Sequence, residues 1–305
     1  MKKPFNVNKI LIPIDFSETS KLALEHAANL CQKFNSKLHL LHVYTSSNVD
    51  VLPNLTATSA SESNEAKIKE MVTEELNTIG SDFKNKYNVE YQIEVREGKI
   101  SKEISKTAIE VNADMIVMGT HGVSGFEEFF LGSNAYRTVT SSSVPVLTIQ
   151  SHIKKIGYDK IVMPIDASKH TRDKASQVAT IAKAFDSTVY IAALISENHE
   201  EEEKIFNLKV KQVEEYFDDQ GVKHEKKVIH GENIADMTIE YSEEVGADLT
   251  VVMTEQESAT GLFVGPYAQK VVNHSKTPIL SVTPIEVIQS FSQDNLAGDY
   301  RPFYV

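Results

Sequence analysis

One cysteine in 305 residues leaves no intrachain disulfide and no cysteine-rich metal site. No run of 18 apolar residues occurs, so no membrane-spanning helix is expected. No Lys/Arg-rich run is present, and 31 basic against 43 acidic side chains give a net charge of −12. A general nucleic-acid binder needs a basic face that displaces counterions, so direct DNA or RNA recognition is not expected. The opening "MKKPFNVNKILIPID" begins with two lysines but has no apolar stretch ending in a small-residue cleavage site. It reads as the lead-in to a strand rather than a signal peptide, and the cytoplasm is the expected compartment. Several catalytic signatures are missing too: the G-x4-G-K-[ST] phosphate loop, the G-x-S-x-G elbow, the HExxH helix and any Cys/His cluster.

What the chain does have is an internal repeat. "KILIPIDFSETSKLALEHAANLCQKFNSKLHLLHVY" from Lys9 resembles "KIVMPIDASKHTRDKASQVATIAKAFDSTVYIAALI" from Lys160, with Pro13 opposite Pro164 and Asp15 opposite Asp166. Further on, "EVNADMIVMGT" matches "EVGADLTVVMT", with Asp114 opposite Asp248. The offset falls from 151 to 134, so the second copy is shorter, mainly after its second strand. There the first copy carries the polar stretch "TSSNVDVLPNLTATSAS".

Each copy alternates strands and helices. Residues 9–14 are apolar without alternation, as in a strand buried on both faces. Ser17 is placed to cap a helix whose apolar residues Leu24, Ala27, Ala28, Cys31 and Phe34 recur at helical spacing. The second copy repeats that stripe as Ala175, Val178, Ala179, Ala182 and Phe185, so Cys31 reads as a packed thiol. The expected fold is α/β: two tandem doubly wound five-stranded parallel sheets of order 3-2-1-4-5, with helices on both faces. The domains are expected at 1–152 and 153–284, joined near "QSHIKKIGYD", with a tail at 285–305. The apolar final strands "VPVLTI" and "TPILSV" are expected to meet, making a pseudo-dimer within one chain.

"MGTHGVSGFEEFFLGSNAYRTV", Met118–Val139, holds four of the 13 glycines. Ligands of open parallel sheets bind beyond the carboxyl ends of the strands, where the winding reverses. Asp15 ends the first strand and Gly119 the fourth, which places them on either side of that crevice. Gly132-Ser133 precedes a helix whose free N–H groups and positive dipole end suit an anion. Ser133 is a candidate cap and phosphate donor, and a carboxylate opposite a phosphate cradle suits ribose hydroxyls. The same glycines also serve as plain turn and cap devices, and Asp15 alone as a turn residue, so spacing leaves both readings open.

The segment matches G-x2-G-x9-G-[ST] in full, through Gly119, Gly122 and Gly132-Ser133. With "ILIPIDFS", "LLHVY" and "SVPVLTI" it resembles the universal stress protein family over residues 9–150, and the repeat extends the resemblance over about 160–283. The resemblance implies a Rossmann-like, adenine nucleotide alpha hydrolase-like fold that binds ATP or another adenine nucleotide; Mg²⁺ bridging the phosphates would fit such a ligand. It places Pro13, Asp15 and Val43 at the adenosine, with Asp15 on the ribose and backbone near Val43 facing the adenine. Met118, Gly119 and Gly122 would line the ribose and phosphates, and Gly132, Ser133 and Asn134 the phosphates. Where many relatives carry basic residues, this spacer has "GFEEFF"; Glu127 and Glu128 are expected to face solvent, and His121 to be a turn residue.

In the second copy Gly119 and Gly122 become Met253 and Gln256, and Gly132-Ser133 becomes Gly265-Pro266. Proline has no N–H to donate yet starts a helix well, so the fold signal stays while the anion signal goes. The second half is therefore expected to be structural. Three functions fit: an ATP-binding stress-response regulator, a slow ATPase or nucleotidyl-transfer enzyme using the same crevice, and a nucleotide-free scaffold. No lysine in the motif and no evident base for water favour binding over rapid hydrolysis. Further homodimerisation and protein partners are left open.

Overall fold

The computed structural model describes residues 5–45, 62–120, 132–196, 203–254 and 266–284. In the first half the strands are β1 (Lys9–Pro13), β2 (Lys37–Tyr44), β3 (Tyr91–Glu97), β4 (Met115–Gly119) and β5 (Val146–Ile149). They alternate with α1 (Glu18–Phe34), α2 (Glu62–Tyr87), α3 (Ile100–Glu110) and α4 (Ser133–Ser141). The second half runs β6 (Lys160–Ile165), α5 (Ala175–Phe185), β7 (Thr188–Ser196), α6 (Glu203–Gln220) and β8 (Lys223–Gly231). It closes with α7 (Ile234–Val245), β9 (Leu249–Met253), α8 (Pro266–His274) and β10 (Ile279–Val282).

The strand order is β3-β2-β1-β4-β5-β10-β9-β6-β7-β8. Each half has the order 3-2-1-4-5 with parallel pairing throughout. The halves join where β5 and β10 pair antiparallel, Leu280 opposite Leu147, so the two units form one ten-stranded sheet. Thr148 Oγ1 donates to the Ile279 carbonyl at 3.3 Å and Thr283 Oγ1 to the Ser142 carbonyl at 2.9 Å, which pins the seam from both sides.

Helices cover both faces because each carries an apolar stripe. Ala23, Leu24, Ala27 and Leu30 of α1 pack with Ile10 and Ile12 of β1 and with Ile68, Val72 and Leu76 of α2. Ile104 and Ala108 of α3 and Ala135 and Val139 of α4 pack with Leu11, Leu41 and Ile116 on the opposite face. Ser17 caps α1, its Oγ accepting from the Ser20 N–H at 3.2 Å. Cys31 is buried in this stripe, and burial pushes its thiol up to about 12, the state of a packed, unreactive sulfur.

The repeated lysine–aspartate pairs have a structural role. Asp114 Oδ2 accepts from the Asn8 and Lys9 N–H groups at 2.7 and 3.0 Å, while Lys9 Nζ donates to the Val111 carbonyl at 2.6 Å. Asp248 and Lys160 repeat this with Asp159, Lys160 and Val245 at 3.0, 3.1 and 2.8 Å. The carboxylate satisfies backbone donors at the strand's entry that the ladder leaves unpaired.

Between the halves, His26 of α1 shares a 3.2 Å hydrogen bond with the hydroxyl of Tyr158, and both side chains are about 1% exposed. Burial lowers the His26 pKa from 6.5 to about 4. The unfolded chain therefore takes up this proton first, and the stability from neutral His26 is lost as pH falls from about 6.5 towards 4. Urea unfolding of His26→Gln should lose less stability over that interval than the parent chain, by about 2–3 kcal/mol at pH 4. Parallel pH profiles for the two proteins would refute the assignment.

Candidate functional site

β1 and β4 are neighbours whose loops leave for opposite faces, so the switch point of the first half lies at their carboxyl ends. Pro13 is the half-buried last residue of β1. Asp15 follows, and its Oδ1 accepts from Ser17 N at 3.1 Å and Ser17 Oγ at 2.6 Å. Oδ2 has no hydrogen-bond partner among the described residues. Between them Phe16 has φ +65°, a left-handed conformation unusual for a bulky side chain.

Val43 of β2 and Met118 of β4 send buried side chains into one core cluster, and both stand next to the last residue of their strands. Gly119 half-faces solvent, but a Cβ there would lie 2.8 Å from Thr19 Cγ2 and 3.1 Å from the Thr19 carbonyl carbon. Its bareness is thus required by the first turn of α1, a packing reason the spacing did not reveal. Gly122, with the rest of 121–131, lies outside the described residues.

The chain returns where it left: the Gly132 N–H donates to the Thr120 carbonyl at 2.7 Å, and the Thr120 N–H to the Ile149 carbonyl at 3.0 Å. Gly132 occupies the N-cap position of α4 and offers no side chain to cap it. This corrects the expectation that Ser133 caps: Ser133 is the exposed first helical residue, because the bond to Thr120 fixes Gly132 in the extended cap conformation. The N–H groups of Ser133, Asn134 and Ala135 then have no intrahelical acceptor. They sit at the positive end of the helix dipole, a favourable place for an anion. Asn134 is half-buried, its carbonyl accepting from Thr138 Oγ1 at 2.8 Å.

The second half repeats part of this geometry. Asp166 Oδ1 accepts from Ser168 N and Oγ at 3.1 and 2.6 Å, as Asp15 does from Ser17. Yet α5 starts only at Ala175, which aligns with Leu24, well inside α1. Where Gly119 makes room for Thr19, Met253 carries a buried side chain into the cluster that holds Ile165 and Ala175. Lys209 of α6 donates to the carbonyls of Ala167 and, at 3.1 Å, Ser168. Gln256 and Gly265 lie outside the described residues.

The model of the universal stress protein family matches residues 6–150 and again 157–283. The chain belongs to the universal stress protein family. A universal stress protein of Methanocaldococcus jannaschii is 34% identical over 149 residues, covering 48% of this chain and 84% of the relative. One from Bacillus subtilis is 30% identical over 146 residues, 47% of this chain and 99% of the relative. A solved universal stress protein from Archaeoglobus fulgidus superposes with a TM-score of 0.73 at 21% identity, over 92% of this chain and 99% of that one. It supports the tandem fold.

Two further residues stand at the crevice, Phe16 and His42. Position 42 is histidine in "LLHVY" and alanine, Ala193, in the second copy, a contrast that could have drawn attention. The Thr19 contact yields a test of packing: Gly119→Ala should destabilise the protein by about 1–3 kcal/mol in urea unfolding. Unchanged stability would mean that α1 gives way freely.

Proposed function

We propose that this universal stress protein binds one adenine nucleotide per chain, ATP first among them, in the first-half crevice, and that occupancy regulates its association with protein partners. One observation carries the reading: an Asp15 carboxylate oxygen without a partner among the described residues shares the switch point with the α4 N-terminus. The carboxylate suits ribose hydroxyls, and the N–H groups of Ser133 and Asn134 suit a phosphate.

In this reading backbone at Pro13 and Val43 flanks the adenine, and Met118, Gly119 and Gly122 line the ribose and phosphates. The Gly132 N–H already serves Thr120, so Gly132 contributes close approach rather than a donor. A Mg²⁺ ion accompanying ATP would take its ligands from the phosphates and water. The second half, with Met253 in the glycine's place and Pro266 starting α8, is the structural partner of the first.

Isothermal titration with ATP should give one site per chain. Asp15→Ala should weaken binding about tenfold or more, the scale of a lost hydrogen bond to a charged group. Asp166→Ala removes an equivalent turn bond from the other half and should leave affinity unchanged. Two sites per chain, or equal effects of the two substitutions, would overturn the assignment.

A further inference from the structure

His42 lies on β2 beside the Asp15 turn and is 6% exposed. Its Nδ1 stands 2.7 Å from the Ile14 carbonyl oxygen. A carbonyl only accepts, so Nδ1 carries the hydrogen and donates it. The imidazole also packs on Phe16, with ring centroids 4.9 Å apart at 30°. One side chain thus holds the residues on both sides of Asp15: Ile14 through its carbonyl and Phe16 through its ring.

The second half is an internal control for what the fold needs. It builds the same Asp-x-Ser turn, with the same two distances, around Asp166 and Ser168. There position 42 is matched by Ala193 and Phe16 by Ala167, and Ala167 is not left-handed. The Asp166 N–H is held instead by Thr171 Oγ1 at 3.0 Å. A histidine and a strained phenylalanine are therefore not required to fold the turn. They occur in the half that carries the full glycine motif, and strain of this kind concentrates where a site must be pre-organised. Burial lowers the His42 pKa, opposed by the Ile14 hydrogen bond and then by the nearby Asp15 charge. A neutral ring makes no ion pair with Asp15, which leaves the carboxylate for hydroxyl donors.

We propose that His42 is a positioning residue for ribose recognition: through the Ile14 carbonyl and the Phe16 ring it aims Asp15 at the sugar hydroxyls. The proposal rests on reading this crevice as an adenine nucleotide site. Titrations of the full chain with ATP and with 2′,3′-dideoxy-ATP, which lacks those hydroxyls, separate the two ideas. His42→Ala should weaken ATP about tenfold while leaving the dideoxy analogue within about twofold. His42→Asn, whose amide N–H takes the place of Nδ1–H but which lacks the ring, should recover part of the lost ATP affinity. Phe16→Gly keeps the left-handed turn, removes the ring and should reproduce the selective loss, independently of how well His42→Ala folds. Equal losses for both ligands, no loss for ATP, or no rescue by asparagine would overturn the role of His42. A parent chain that binds both ligands equally would overturn ribose recognition yet keep the nucleotide site, and one that binds neither would overturn the site itself.

Discussion

The pairing of β5 with β10 is the contact on which the rest of the architecture depends. Both strands are short, and every residue in them is buried. A lone half would present one of them as an apolar edge with a row of unpaired backbone groups, the arrangement that invites aggregation. Joining the two edges satisfies both at once. It also leaves β3 and β8 as the outer strands, and these are rich in charge: Glu94, Arg96 and Glu97 on one, Lys223, Glu225, Lys226 and Lys227 on the other. Hydrophobic strands lie inward and charged strands outward, as the sheet's ends require.

Much of this was legible in the sequence, for identifiable reasons. Strands buried on both faces read as unbroken apolar runs, and helices packed on them show a 3.6-residue stripe, so the βα order could be written down from the first copy and its repeat. Asp114 and Asp248 were visible as matched positions, though not as clamps on the strand entry. What the sequence hid was contact across the chain. Nothing local to Gly119 indicates that Thr19, a hundred residues earlier, takes the space of its missing Cβ. Nothing local to Ser133 indicates that Gly132 is held by Thr120 and so takes the cap position. The same limit applied to His42, a histidine in a strand whose meaning comes from the carbonyl and ring beside it.

The two crevices share one turn and differ in what surrounds it. Asp15 and Asp166 share their turn chemistry at the same two distances, 3.1 and 2.6 Å, so that turn belongs to the fold. The differences lie around it. The first half has a helix that begins at once, a bare glycine and a left-handed phenylalanine over a histidine. The second has a delayed helix, a buried methionine and a lysine resting on backbone carbonyls. In the first half the bare glycine and the start of the helix share one volume, that between Gly119 and Thr19.

The antiparallel seam also sets what kind of change each half can tolerate. In an isologous pair of separate chains every substitution appears twice, so a methionine at the glycine position would fill both crevices. The backbone running from Ile149 to Lys160 joins the halves here, and their contact does not weaken on dilution as a two-chain interface does. Covalent continuity thus lets the two halves diverge, with a bare glycine in one and a buried methionine in the other, without parting. The molecule has the outline of a symmetric dimer and two inequivalent ends.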